Sequence, residues 1–423
     1  MKSYRLLLTI CLALALINTA CNRNFSEPKA PTVSNKVVLD WNVAAFEAMG
    51  GKAYQHSLMA SRINAMVHIA MHDAINAING KYEQYVYMDA APGANVEAAA
   101  ANAAYNVLTA TFPEKKSMLD SLLHVSLQQI PNDDAKTRGM IVGHEAANAI
   151  LELRAGDGAA TNPIVAIEPS VVPGVYNVVP PFDFVFAPHW KTMKTFGLDT
   201  SNQFRSVAPP ALNSAAYKND FDEVKSFGQK DSKTRTADQT FYSKFWYEFS
   251  EIGWNRVART VSNERKLDLV ESARVFALLN MALADAYTAG WDAKFHYNFW
   301  RPYTAIRAAA KDPNQETIAD ESWESAEPTP PVQDYPSTHS ALGNAAAGVL
   351  SEIFGNETAF TMTSLTAVPA GATRSFRSFS EAADENADSR VMAGIHFHFS
   401  CEAGQKLGDD IGSYIVKHRL KPR

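Results

Sequence analysis

From Leu267 to Trp300 the chain reads LDLVESARVFALLNMALADAYTAGWDAKFHYNFW, with apolar residues recurring at three- and four-residue steps over the whole stretch. That period belongs to a helix, and a run this long and this apolar needs partners on more than one side. The same period marks Val43 to Ala48, Met59 to Ile78, the Ala-rich 96–155 and much of the chain after Asn213. Strand alternation is scarce. The expected class is mainly α: two packed helical bundles with an irregular Pro-rich excursion between them. We divide the chain into a leader at 1–20, a tether at 21–35, an N-terminal bundle at 36–156, the excursion at 157–212 and a C-terminal bundle at 213–423. Gly156 and Gly158 close the first bundle as stop signals.

The leader has Lys2 and Arg5 ahead of an apolar run from Leu6 to Ile17, too short to span a bilayer comfortably. INTAC comes next, placing Cys21 for lipid attachment, although Asn18 stands where an aliphatic residue is usual. The mature chain is expected outside the cytoplasm, in the periplasm or as a membrane-anchored lipoprotein. With Cys11 in the leader and Cys21 acylated, Cys401 is left alone, which excludes a disulfide scaffold and a thiolate metal cluster. Net charge is −6 with no basic block, which argues against nucleic acid as a partner. Exposed apolar faces on bundles of this kind allow a homodimer.

The long helical run ends in KFHYNFWRP. Lys294 and Arg301 are seven residues apart, almost two helical turns, and are read as pointing the same way. Two cations among Trp291, Phe295, Phe299 and Trp300 are costly to bury unless an anion lies between them. Two later segments can complete an oxyanion pocket: YPSTHS at 335–340 and SRVMAGIH at 389–396. Ser337 follows a proline and precedes a helix, where its hydroxyl and the free N–H groups of the first turn favour an anion. His339, in that first turn, suits a general acid or base. Arg390 offers a planar fork, and His396 a nitrogen that can attack or ligate a central atom. We expect Arg390 near a helix entrance and His396 on the next turns, with Gly394 leaving room for close packing. His68 and His72, four apart on a helix, have the spacing of a metal pair but no third ligand, and we read them as packed residues. Gln203, Phe204 and Arg205 could line an entrance, although a loop arginine is more often structural.

The series K–six residues–RP, PSTH, SR–five residues–H resembles the signature of the vanadium-dependent haloperoxidases and the related type 2 phosphatidic acid and bacterial acid phosphatases. SRINAMVHIAMHDAINAI, ALADAYTAGWDAKFHYNFWRPYTAIR and FSEAADENADSRVMAGIHF are similar to the bacterial haloperoxidase branch. The resemblance implies that Lys294, Arg301, Ser337, Arg390 and the backbone of Thr338 bind the oxygens of vanadate. It makes His396 the nitrogen ligand, His339 the acid–base residue, and Lys294 the group that polarises a peroxovanadate. Trp291 matches an aromatic near the family's halide site. The partners implied are hydrogen peroxide with iodide or bromide. The alternative is a vanadate-sensitive phosphomonoesterase acting on phosphate esters, with His396 as nucleophile and His339 as general acid. A third reading is a catalytically silent anion-binding lipoprotein.

Two residues depart from the family pattern. Thr338 stands where glycine is usual, and a β-branched side chain there can crowd the oxyanion. Ser400 stands where an aspartate often lies four after the ligand histidine. Asp285, Asp292 and Glu402 are alternative candidates to replace that carboxylate, and the sequence does not choose among them. His296 and His398 are read as bystanders.

Overall fold

Helix α1 (Lys36–Ala48) opens the fold in a computed structural model that describes residues 33–423 except position 55. The leader, Cys21 and nearly all of the tether lie outside the described residues. Then come α2 (Ser57–Asn79), α3 (Val96–Thr111), α4 (Lys116–Leu127) and α5 (Asp134–Leu153). The excursion carries two short strands, β1 (Ile164–Val165) and β2 (Val185–Phe186), paired antiparallel. After it come α6 (Ala215–Phe227), α7 (Ala237–Phe245), α8 (Ser250–Glu264), α9 (Leu269–Tyr297) and α10 (Pro302–Ala308). The last part is α11 (Thr338–Phe354), the hairpin β3 (Phe360–Thr363) and β4 (Thr373–Phe376), α12 (Phe379–Met392) and α13 (His398–His418). The fold is mainly α, as the periodicity predicts. Residues 35–423 form one compact unit.

The long apolar run is the central helix α9. Asp268 caps its start by accepting the Glu271 N–H at 2.7 Å. Its side chains are buried almost all round from Leu269 to Lys294, as expected of a helix with neighbours on every side. It packs against α2 on one side and α11 and α13 on the other, with α1 and α8 also touching it. Asn298, at φ 48°, stops it in the left-handed conformation that asparagine tolerates. Lys294 and Arg301 therefore do not share a helix face. Arg301 lies beyond the break, as the residue capping α10 just before Pro302.

The tightest helix pair holds the site in place. Gly404, Gly408 and Gly412 recur every four residues on α13, so they form one stripe. A Cβ on Gly404 would come 2.2 Å from the Ser337 carbonyl oxygen, and one on Gly408 2.2 Å from that of Ala341. The last helix is thus pressed directly onto the start of α11. Gly394 allows a similar approach: at φ 77°, its added Cβ would meet the Gly228 carbonyl oxygen at 2.1 Å.

His68 and His72 are packed residues, as expected. His68 Nε2 lies 2.8 Å from Asn42 Nδ2, and its ring stacks on Phe276. His72 Nε2 lies 3.0 Å from the Glu83 carbonyl oxygen. Among the described residues no group of three or more His, Cys, Asp or Glu side chains could hold a metal ion, and no helix is long and apolar enough to cross a membrane. Cys401 is free and buried.

Candidate active site

The three segments meet at one place beneath the excursion. Lys294 comes from the last turn of α9 and Arg301 from the break after it, each 1% exposed. Lys294 Nζ donates to the carbonyl oxygens of Gln333 at 2.6 Å and Asp334 at 2.8 Å. An ammonium has three donors, so one remains. Arg301 Nε donates to the Val332 carbonyl at 2.8 Å and Nη1 to that of Ile395 at 2.6 Å. These bonds pin both cations to the Pro-rich loop ahead of α11.

Ser337 caps α11, which runs for 17 residues and presents the free N–H groups of its first turn to the same spot. Its Oγ accepts from Ser340 Oγ at 2.9 Å. His339 Nε2 lies 2.7 Å from the Trp246 carbonyl oxygen. A carbonyl only accepts, so Nε2 carries the proton and Nδ1 keeps the lone pair. The same carbonyl accepts from Arg390 Nη1 at 3.2 Å, tying acid–base candidate and cation together. Asn386 Nδ2 steadies the turn by donating to the His339 carbonyl at 3.1 Å.

Arg390 and His396 are not on one helix, contrary to the expectation. Arg390 sits in the last turn of α12, while His396 lies in the bend that Gly394 allows before α13. Arg301 Nη1 is 2.9 Å from His396 Nε2. A guanidinium only donates, so Nε2 bears a lone pair and Nδ1 the proton. Nδ1 lies 2.9 Å from Asp334 Oδ1, off the line of a straight hydrogen bond. Ser400 Oγ donates to the other oxygen, Oδ2 of Asp334.

Asp334 is thus the carboxylate that stands beside Ser400. The three candidates are elsewhere. Asp285 accepts the N–H groups of Phe196, Gly197 and Leu198, Asp292 grips Arg205 through two bonds, and Glu402 lies 3.8 Å from His398. Arg205 is accordingly held in an ion pair. Thr338 does not crowd the cup. Its side chain sits opposite Gly290 of α9, where an added Cβ would come 2.7 Å from Thr338 Oγ1. His296 is exposed and His398 pairs with Glu223 at 3.2 Å, so both stand apart from the cup.

Burial governs the electrostatics. Desolvation, reinforced by Arg301, holds the Lys294 ammonium well below its usual range. Burial pushes Arg390 down to about 10 and keeps both His339 and His396 well below the usual histidine range, with neighbouring cations adding to it. Burial also raises Asp334 to about 6, against the pull of Arg301 and Lys294. Against three cations the cup itself holds one carboxylate, Asp334, while Glu327 is a weaker neighbour of Arg390. Arg390 Nε is buried without a partner. Surplus positive charge, this orphaned donor and a free helix N-terminus fit a tetrahedral oxyanion such as vanadate or phosphate.

A cavity of about 640 Å³ opens onto the cup, with His339 and Arg390 at its floor and Trp291 in its wall. Trp291 Nε1 donates to the Phe186 carbonyl at 3.2 Å. The excursion contributes Phe182, Phe184 and Phe186 to the walls. Asp334, the Trp246 carbonyl, Asn386 and Gly290 are parts of the site that the sequence does not point to. Only the phenylalanine alternation in PFDFVF is visible as a pattern there.

Fold and site together define a helical oxyanion-binding protein with an apolar mouth. Residues 274–422 match the family described as the VCPO second helical-bundle domain. Over 196 residues, 39% of this chain, the sequence is 29% identical to the vanadium chloroperoxidase of Curvularia inaequalis, and this stretch spans 32% of that relative's length. The solved structure described as the first bacterial vanadium-dependent iodoperoxidase superposes with a TM-score of 0.79 at 27% identity, covering 92% of this chain and 97% of that one. A holo-type bacterial vanadium-dependent chloroperoxidase shares the fold, with a TM-score of 0.69 at 16% identity over 86% of this chain and 92% of that one. What the chain is similar to, in its last third by sequence and over most of its length by fold, are vanadium-dependent haloperoxidases.

Proposed function

We propose that the chain is an exported haloperoxidase that holds vanadate in this cup and uses hydrogen peroxide to oxidise iodide or bromide to hypohalous acid. The observation that carries the reading is the convergence of Lys294, Arg301 and Arg390 with the N-terminus of α11 and a His396 nitrogen whose lone pair faces the cations. Bound vanadate supplies a Lewis-acidic centre that activates peroxide toward halide without changing its own oxidation state.

Each protein group has a defined task. Lys294, Arg301 and Arg390 offset the charge of the anion, and the Ser337 hydroxyl with the first N–H groups of α11 binds its oxygens. His396 Nε2 would be the nitrogen ligand, giving up the hydrogen bond that it accepts from Arg301 Nη1. Asp334 faces the proton on Nδ1 and so keeps the lone pair on Nε2, the part that a carboxylate commonly plays beside a metal-bound imidazole. Ser400 in turn orients Asp334. His339 exchanges a proton at Nδ1 while its Nε2–H stays on the Trp246 carbonyl. Trp291 lines the route by which halide reaches the cup. The leader and Cys21 support placement outside the cytoplasm.

The test is to equilibrate the purified chain with vanadate and follow halide oxidation by peroxide, with p-nitrophenyl phosphate hydrolysis in parallel. Vanadate-dependent oxidation of iodide or bromide is expected, with His396→Ala losing bound vanadate and His339→Ala keeping it but losing most turnover. Phosphate ester hydrolysis inhibited by vanadate, with no halide oxidation, would establish the phosphatase reading instead.

A further inference from the structure

A serine hydroxyl has two lone pairs and one proton. At Ser337 Oγ both lone pairs are taken by the same residue. Ser340 Oγ donates to it at 2.9 Å, and the Ser340 N–H donates to it over a long 3.4 Å. The proton between the two oxygens thus belongs to Ser340, and the proton of Ser337 is left over. Among the described residues no protein group accepts it, although Ser337 is fully buried. Leaving a buried hydroxyl proton without an acceptor is costly, so a ligand is the partner that would satisfy it. The space beside it is the cup, where three cations and the start of α11 call for an anion. Ser340 has its own support. Its oxygen hydrogen-bonds the Cys401 side chain. With its proton spent on Ser337, Ser340 can only accept there, which makes the thiol the donor. Burial raises that thiol well above its usual range, so it stays protonated. Packing fixes the chain of groups in place. An added Cβ on Gly404 would come 3.0 Å from the Ser340 Cβ, and the Ser337 N–H donates to the Ser400 carbonyl at 2.7 Å.

We infer that Ser340, backed by Cys401, is a positioning residue of the anion site: it fixes the Ser337 hydroxyl as a one-way donor into the cup. Protons point in one direction from Cys401 on α13, through Ser340, to Ser337 and on to the anion, and hydrogen bonds in such a chain strengthen one another. That corner of the cup is built for an anion oxygen that can accept a hydrogen bond, and it gives no acceptor to an oxygen that carries a proton. The inference rests on the oxyanion-binding part of the reading above and not on its peroxidase chemistry.

The experiment measures phosphate and vanadate binding to the purified chain by equilibrium dialysis in the parent, Ser337→Ala, Ser340→Ala and the double variant. Losing a hydrogen bond to a charged acceptor should weaken both anions about tenfold or more in Ser337→Ala. Ser340→Ala, which leaves that hydroxyl free to turn away, should weaken them about fivefold. In the Ser337→Ala background the same change should cost less than about twofold, because no hydroxyl is left to orient. A packing role would cost the same in both backgrounds. Ser340→Cys, near in size but a weak donor, should fall between the parent and Ser340→Ala, and it takes the place of the alanine variant if that one fails to fold. Parent-like binding in Ser340→Ala, or an equal loss in the two backgrounds, would overturn the inference. A parent that binds neither anion would overturn it together with the anion site. Anion binding with this coupling but without halide oxidation would leave the inference standing and remove only the peroxidase chemistry.

Discussion

Asp334 is the carboxylate that Lys294 and Arg301 share, and it also faces His396 Nδ1. Removing one partner from a buried charged group leaves the other charges uncompensated, a loss of about 3–5 kcal/mol. Asp334→Ser should therefore lower the stability of the anion-free chain by about that amount in urea titrations. Ser400 Oγ points at the same carboxylate, so adding Ser400→Asp to Asp334→Ser should restore most of the loss. A double variant no more stable than Asp334→Ser would show that the charge is not exchangeable between the two positions. Glu251 poses a second question at this scale. It accepts from Tyr54 and Tyr287 hydroxyls, each at 2.9 Å, and burial raises it from 4.5 to about 7. The folded chain thus holds a proton that the unfolded chain has already lost between about pH 4.5 and 7, so this group's contribution to stability falls as pH rises through that window. Relative to Glu251→Gln, the parent should lose up to about 1.4 kcal/mol per pH unit across it and then run level. A constant gap from pH 4.5 to 8 would show that Glu251 ionises normally. None of this is legible in the sequence. A lone aspartate in a Pro-rich loop carries no local pattern, and Ser400, 66 residues away in sequence, meets it only through the fold.

At the scale of elements, the contact between α9 and α11 decides whether threonine is tolerated at the mouth of the anion site. The notch at Gly290 admits the Thr338 side chain. Gly290→Ala should force Thr338 toward the cup and weaken vanadate binding at least tenfold by equilibrium dialysis. Thr338→Gly added to Gly290→Ala should return the affinity to near the parent's. If Gly290→Ala binds vanadate as the parent does, the notch has no bearing on the site. The sequence makes the helices plain, because their period persists over many turns, and it places Ser337 at a helix start. It misplaces Arg301 and His396, since seven- and six-residue spacings are helical only when no turn intervenes. Asn298 and Gly394 supply the turns, and a residue that can adopt positive φ does not announce that it will. The Gly404, Gly408, Gly412 stripe has the spacing of a close-packed helix face, but its partner α11 is not adjacent in sequence, so the spacing alone does not say what it packs against.

For the molecule as a whole, the architecture is a central helix, α9, around which distant segments are arranged so that charges meet at its C-terminal end. A ligand that binds only the folded chain stabilises it by mass action, about 2.7 kcal/mol at a hundred times its dissociation constant. Vanadate should accordingly raise the melting temperature, and phosphate should compete with it, because both have the shape and charge that the three cations accept. The resemblance legible in the sequence is concentrated between Ala282 and His398, and the three cations, Ser337 and both histidines of the cup come from that stretch, while the Trp246 carbonyl and Ser400 that hold them lie outside it. The cavity walls come mostly from outside it, from the excursion and from the turn after α7, where irregular chain gives no period to read. The most direct measurement is the stoichiometry and affinity of vanadate binding in the parent, Arg390→Ala and His396→Ala. The account predicts one vanadate per chain, displaced by phosphate, with affinity lost by at least tenfold in each variant. No saturable binding in the parent, or binding unchanged in both variants, would contradict it.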